Sequence, residues 1–425
     1  MQGIENDKRT GLNIKSNISR IKNNQDGKVL ASNMVYLTIL QVASYLFPLI
    51  TMPYLARVIG PDGLGKIAFA SAIILWIQTI SDWGFNYTAT REVAKQREDN
   101  KRVSEIFSTV LWARCLLALG GLLIIVALIS FIPTFKENAL IILLTYLLIP
   151  GHILYPDWFF QAVEKMKYIS LFGVLIKFIF TICVFIFIRK PEDYILQPLI
   201  ISLGYTLSGL ISLYFVLYKW GYKIHRIPLS QVFNAIKLSS DVFINNLMPN
   251  LYNSFSVILL GIFGSPTETG LYDAGKKFTT LANSALSVIA RVFFPFLSRK
   301  IDKHQLYARF SLSCAGLITI FLCSTAQWLI PIFFGTEFAN SINVLRITAF
   351  AIFFVAMSEV YGTNFLIVNN QDRLMRNITL FASLVGFICA FPLIYFYKHI
   401  GAAFVFLVSS MTIGLLSFAY SKKIK

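Results

Sequence analysis

Twelve stretches of mostly apolar residues, each long enough to cross a bilayer, organise this chain: 34–56, 67–85, 108–132, 139–160, 169–188, 195–218, 242–263, 278–297, 310–334, 347–368, 378–397 and 400–420. About 20 such residues in a helix span the hydrocarbon core. Helix is the required form, since an open strand would leave its backbone groups unpaired in lipid. A soluble domain could not hide these runs. The chain is 56% hydrophobic and 14% charged, against roughly 45–50% and about 25% in soluble proteins. The expected fold is therefore all-α integral membrane, with about twelve transmembrane helices. The second and eighth runs, which carry Asp82 and Arg291, are the least apolar.

Charge sets the expected orientation. With the N-terminus in the cytoplasm, the cytoplasmic segments hold 26 of the 38 Lys and Arg residues and the outer loops hold six. Cytoplasmic loops carry such an excess, so both termini are expected inside. The same rule accounts for the net charge of +17 without nucleic acid as a partner, because no basic stripe interleaved with aromatics lies outside the apolar runs. Residues 1–28 are polar, lack the apolar stretch of a signal sequence and read as a disordered cytoplasmic tail.

Segment 219–240 reads as a cytoplasmic linker that divides the spans six and six, giving an N-lobe over 29–218 and a C-lobe over 241–425. The turns Gly60-Pro61-Asp62-Gly63-Leu64-Gly65 and Gly264-Ser265-Pro266-Thr267-Glu268-Thr269-Gly270 echo one another at matching places in the two halves, as in parallel-repeat carriers. Nine of the fourteen prolines fall inside spans, where each kinks a helix. The outer loops are too short to build an outer enzymatic site. No GxxxxGK[ST], HExxH or GxSxG motif occurs, and the five cysteines lie in apolar runs without His at ligand spacing. No catalytic residue, metal or cofactor is expected.

Ionisable groups within a bilayer are costly and usually face a cavity or a partner. Asp273, Lys277, Thr280, Ser284, Ser287 and Arg291 follow at steps of four and three residues, placing all six on one face of the eighth span. Asn246, Asn250 and Asn253 repeat that spacing in the seventh span, Ser71, Gln78, Asp82 and Asn86 share a face of the second, and Thr38, Gln41 and Ser44 mark the first. Concentration of polar stripes in the leading pair of each half predicts a central cavity between two lobes, although interhelical hydrogen bonds would use the same residues. Glu359, near mid-bilayer by residue count, is the leading candidate for a proton or sodium site, with Asp82 and Asp273 as further ion-coupling candidates. Arg114 and Asp157 are placed near cytoplasmic ends within reach of water, Arg57 near the outer face. His152, after the Pro150-Gly151 break, reads as an interior histidine.

Four segments carry a resemblance. Residues Pro53-Tyr54-Leu55-Ala56-Arg57-Val58-Ile59-Gly60-Pro61-Asp62-Gly63-Leu64-Gly65, Thr90-Arg91-Glu92-Val93-Ala94-Lys95, the run from Asp157-Trp158-Phe159-Phe160 to Lys167-Tyr168, and Gly270-Leu271-Tyr272-Asp273-Ala274-Gly275-Lys276-Lys277 resemble bacterial O-antigen flippases of the Wzx type. The resemblance runs from about residue 30 to the end. It implies a two-lobed, twelve-helix exporter of the bacterial inner membrane that moves undecaprenyl-pyrophosphate-linked oligosaccharide between leaflets, driven by an H+ or Na+ gradient. A glycan polymerase and a chain-length regulator are the implied protein partners, besides membrane lipids. On that reading Lys277, Arg291, Arg91 and Arg57 offer cations to the pyrophosphate, and Asn246, Asn250, Asn253 and Ser284 offer hydrogen bonds to sugar. A multidrug or metabolite antiporter of the same superfamily is the alternative, and a surface-glycan polymerase or ligase a more distant one.

Overall fold

The computed structural model describes residues 25–424, with side chains from residue 32 onward. The expected tail therefore falls almost wholly outside the described residues. Among those residues every regular element is helical. Nine helical stretches are long and apolar enough to cross a membrane. Two are double crossings: Ser32–Lys95 breaks at Gly60 and Asp372–Ile424 at Lys398. One more is interrupted, running through Leu229–Leu247, a 3-10 turn at Met248–Leu251 and Ser254–Phe263. Counted in this way the described residues make twelve crossings, including the polar second and eighth.

Local sequence explains the breaks. Gly60 takes φ 65°, a left-handed backbone that glycine adopts freely, and Pro61 then opens the second span with its fixed φ. The seventh span begins at Leu229, earlier than the apolar run at 242, so only 220–228 of the expected linker is non-helical. Its early turns are amphipathic. Val232 is buried in a core with Phe85, Val103 and Trp158 of the first half, while Leu229, Phe233 and Leu238 point outward.

Packing divides the helices into two six-span lobes. Ile73, Ile77, Ile125, Ile142 and Ile149 form a core among spans two, three and four. Leu260, Ala351, Ile378, Ala390, Ala402 and Val405 do the same for spans seven, ten, eleven and twelve. A third cluster crosses between halves, bringing Leu55, Ala56 and Leu64 against Leu271 and Ala274. Many contact residues are small, because lipid gives helices no hydrophobic reason to associate and close backbone approach must do so instead. Large apolar side chains such as Leu123, Leu317 and Ile388 remain on the outside, where lipid lies.

The two ends of the bundle differ in charge. Arg91, Lys95, Arg97, Lys101, Arg102, Lys165 and Lys167 mark a basic end. At the opposite end the echoing turns meet. A Cβ built on Gly65 would lie 1.6 Å from the Pro266 carbonyl oxygen, and one on Gly270 would lie 2.0 Å from that of Pro61. Each glycine thus faces the proline four residues before its counterpart, a reciprocal crossing of the second and eighth spans. Around it Arg57 donates to the Ile332 carbonyl at 2.5 Å and Lys398 to the Phe263 carbonyl at 2.6 Å, while His399 stands 3.8 Å from Glu268. This end is shut.

Gly65→Ala or Gly270→Ala is expected to force these helices apart. Overpacking of this kind costs about 1–3 kcal/mol, read as a lower Tm in detergent and as faster thiol labelling of a cysteine placed at buried Leu64. Gly120→Ala, whose Cβ would meet nothing within 4 Å, is the control and should leave both readouts unchanged.

Candidate functional site

Between the lobes lies a cavity of about 820 Å³, toward the upper end of the roughly 300–1,000 Å³ usual for ligand sites. The eighth span lines it most. Asp273, Lys277, Thr280, Ser284, Ser287 and Arg291 all face it, joined by Lys276 and Asn283. Gln41 and Tyr45 of the first span, Ser71 of the second, Gln197 of the sixth, Asn253 and Ser254 of the seventh and Glu359 of the tenth add to the polar wall. The six residues spaced at steps of four and three thus share the face that lines the cavity. Helix Pro266–Leu297 opens with a capping box, Ser265 accepting from the Glu268 N–H at 3.2 Å and Glu268 accepting from the Ser265 N–H at 3.1 Å. That cap fixes the register of the stripe.

Three cations, Lys276, Lys277 and Arg291, stand against two carboxylates, Asp273 and Glu359, so the cavity is positive overall. Lys277 lies 4.0 Å from Asp273, each side chain 36% exposed; a solvated pair at that distance is weak, and both groups stay available to a ligand. Lys276 donates to Asn253 Oδ1 at 3.1 Å and sits 4.3 Å above the Phe406 ring. Arg291 donates from Nε to the Ser287 carbonyl at 3.3 Å, leaving the outer fork of the guanidinium toward the cavity. Glu359 lies beside Thr363 and within electrostatic reach of Arg291. It lies in the first turn of a π-helical stretch, Ser358–Ile367, a form that often marks functional sites.

Six of the expected site residues thus line one cavity: Lys277, Arg291, Ser284, Asn253, Asp273 and Glu359. The other five are elsewhere. Arg57 is held at the shut end. Asn250 donates to Thr79 Oγ1 at 3.0 Å, a bond between halves. Asn246 is exposed away from the lining, because the break at Met248–Leu251 rotates it off the Asn253 face. Arg91 lines a separate cavity of about 550 Å³ with Thr88, Lys95, Arg102, Gln231 and Asn234, since the early start of the seventh span brings that helix over it. Asp82 is paired with Arg114 of the third span. Arg114 does not reach water as expected, being 1% exposed.

Lys276 was missed by the sequence reading. It lies one residue off the stripe, about 100° around the helix, and only the Asn253 and Phe406 contacts bring it to the cavity. The signal was present as a second lysine in an otherwise apolar turn.

Two six-helix lobes closed at one end around a polar cavity define the fold of a two-lobed helical membrane carrier. The chain belongs to the polysaccharide biosynthesis protein family, whose model matches residues 30–301. It is 29% identical over 405 residues to a candidate O-antigen transporter of Escherichia coli strain K12, covering 93% of this chain and 97% of that protein. A candidate O-antigen transporter of Shigella dysenteriae is 25% identical over 398 residues, with 91% and 98% covered. In fold it is similar to the lipid II flippase MurJ in an inward closed conformation, with a TM-score of 0.72, 12% identity, and 92% of this chain and 87% of that chain covered.

Removing the Asp82 carboxylate strands a buried guanidinium. Asp82→Ala is expected to cost about 3–5 kcal/mol, seen as a large fall in Tm in detergent, whereas Arg91→Ala on its exposed helix should stay within about 0.5 kcal/mol.

Proposed function

We propose that this protein is a flippase for lipid-linked oligosaccharide, moving O-antigen repeat units on undecaprenyl pyrophosphate from the cytoplasmic to the periplasmic leaflet of the bacterial inner membrane. The observation that carries this reading is the cationic and hydroxylic stripe of the eighth span, lining a cavity that reaches across much of the bundle. A pyrophosphate needs cations, and Lys276, Lys277 and Arg291 supply them. Sugar hydroxyls need amide and hydroxyl partners, and Asn253, Asn283, Ser284 and Ser287 supply those. An apolar crevice lined by Pro48, Met52, Phe278 and Phe333 reaches Lys277 between the first, eighth and ninth spans, offering the lipid tail a way to stay in hydrocarbon while its head enters.

In this reading the basic end is cytoplasmic, both termini lie inside, and the lobes correspond to residues 29–218 and 241–425 on either side of the linker. Head groups enter from the basic end while the Gly65–Gly270 crossing is shut, and rocking of the lobes then exposes the cavity to the periplasm. Transport rather than chemistry is the activity, with an H+ or Na+ gradient as its source of free energy. Glu359 and Asp273 are the carboxylates within the cavity that an ion would meet. Relatives of 25–29% identity along most of the chain that carry the O-antigen transporter name favour this cargo over the small cations of a multidrug antiporter, as does the positive cavity. A glycan polymerase and a chain-length regulator are the expected partners downstream.

Lys277→Ala and Arg291→Ala test the site. Each removes a charge-assisted contact worth about 1.5–3 kcal/mol, which is roughly 10- to 150-fold in affinity. Surface glycan should fall steeply in cells carrying either variant as the sole copy at normal protein level. Full glycan in both would remove the stripe from the mechanism. Altered survival in toxic cations with unchanged glycan would favour the antiporter.

A further inference from the structure

A second ionic cluster lies in the first lobe, outside the cavity. Asp82 ends the second span, Arg114 sits within the third, and His152 follows the Pro150-Gly151 break in the fourth. Arg114 Nη2 donates to Asp82 Oδ1 and lies 2.7 Å from His152 Nδ1. His152 Nδ1 is in turn 3.7 Å from Asp82 Oδ1. Arg114 is 1% exposed, yet Asp82 and His152 keep 18% and 12% of their side-chain surface, so the carboxylate and imidazole are not sealed. Among the described residues Arg114 Nε and Nη1 have no hydrogen-bond partner. Unpaired donors on a buried guanidinium are costly.

The chemistry of the contact defines its switch. For Nδ1 of His152 to accept from Arg114 the ring must be neutral, with its proton on Nε2. A proton arriving at Nδ1 turns that acceptor into a donor. The Arg114–His152 hydrogen bond then becomes a contact between like charges, and the new N–H finds its acceptor in Asp82. Cluster charge changes from zero to +1. Asp157, at the start of the next helical segment, also acts on His152 and can offset the added charge. Tyr205 of the sixth span packs 6.1 Å from the imidazole, centroid to centroid. Asp82, Arg114, Asp157 and Tyr205 are thus the titratable or charged groups that face His152 from the elements around it.

What makes this more than a structural ion pair is its neighbour. Directly after Asp82 comes the contact that ties the lobes at the basic end. Trp83 Nε1 donates to the Ile236 carbonyl at 2.9 Å, and its ring stacks on Phe243 at 3.8 Å with the planes 5° apart. A Cβ on Gly84 would lie 2.8 Å from Val242, and Thr88 hydrogen-bonds Ser239 at 2.7 Å. All four partners belong to the helix Leu229–Leu247 that begins the seventh span. Asp82 and Trp83 are joined by one peptide bond, so the ionic cluster and the lobe contact are neighbours in the chain.

We propose that His152, held between Arg114 and Asp82, is the site at which the first lobe binds the driving proton, and that its protonation loosens the Trp83–Phe243 contact between the lobes. The proposal rests on the gradient-driven flippase reading above for its purpose, but not for its chemistry. It adds to the cavity carboxylates Glu359 and Asp273 a proton site outside the substrate cavity, where proton and head group do not compete for one position. They communicate instead through the lobe contact, a two-state element that both can bias.

The test uses the full chain. In proteoliposomes, the rate of lipid-linked oligosaccharide movement with an imposed pH gradient is divided by the rate without one. His152→Asn keeps an oxygen that can accept from Arg114 but cannot take up a proton. Its ratio should collapse to near one where the wild type gives several-fold, and His225→Asn should keep the wild-type ratio. A wild-type ratio in His152→Asn would overturn the proposal. So would transport that responds to sodium alone, which leaves the flippase reading standing. Should the variant fold poorly, spin labels at the exposed positions Tyr87 and Leu238, with native cysteines replaced and His152 retained, report the basic end directly. Their separation should widen by several ångströms as pH falls and the imidazole takes up its proton, and a separation independent of pH would sink the idea. Absence of oligosaccharide movement under every gradient defeats the flippase reading instead, and the label titration still decides the proton site.

Discussion

Hydrocarbon offers no partner to a polar group, and that single constraint organises the whole bundle. Every charged or amide side chain set within a span must turn toward another helix, a water-filled space or the membrane surface. In this chain the second and eighth spans carry too many such groups to be lipid-facing, so they stand at the centre with apolar helices around them. The cavity follows from their placement. Asp273, Lys277 and Arg291 line it because no other surface of the protein could keep them solvated at that depth.

A cavity in the middle of a bilayer serves transport only if its ends open in turn, and the two ends here are built differently. The opposite end is shut by backbone: Gly65 and Gly270 let the second and eighth spans touch at van der Waals distance across the lobe boundary. Nothing in that contact titrates, although Arg57, Lys398 and the His399–Glu268 pair brace it from outside. At the basic end the lobes meet through side chains, Trp83 on Phe243, Thr88 on Ser239 and Asn250 on Thr79. Such contacts can be broken one hydrogen bond or ring at a time. The difference suits a protein in which one end responds to local charge and the other follows by leverage.

Legibility in the sequence tracked the range of the interaction. Span count and the lining face of the eighth helix were readable because both depend on periodicity within one segment. The echo of Gly60-Pro61 in Gly264-Ser265-Pro266 was readable too, though not that the two turns would interlock. Long-range choices were not. Asp82 could equally have faced the cavity; only the fold shows Arg114, 32 positions away, claiming it. Asn246 leaves the Asn253 face because the helix breaks at Met248–Leu251, and Arg91 has Gln231 and Asn234 as neighbours because the seventh span starts early. Its first turns, at 229–241, are too polar for a hydropathy window but bury Val232 and Ser239 against the first lobe.

The same constraint that makes the cavity also explains why the chain keeps a second charged cluster away from it. A lone Asp82 or Arg114 inside the first lobe would be costly, and the three together are only partly satisfied, two guanidinium nitrogens remaining without partners among the described residues. Replacing such a trio with apolar residues is often neutral or stabilising in other proteins, so stability alone is a weak reason to keep it. A role that needs the charges to move is a stronger one. The cluster sits one residue from the Trp83–Phe243 contact between the lobes at the basic end. On the proposed reading, cargo recognition in the eighth span and proton uptake at His152 in the fourth act on opposite sides of one interface, and helix packing would carry the coupling between them.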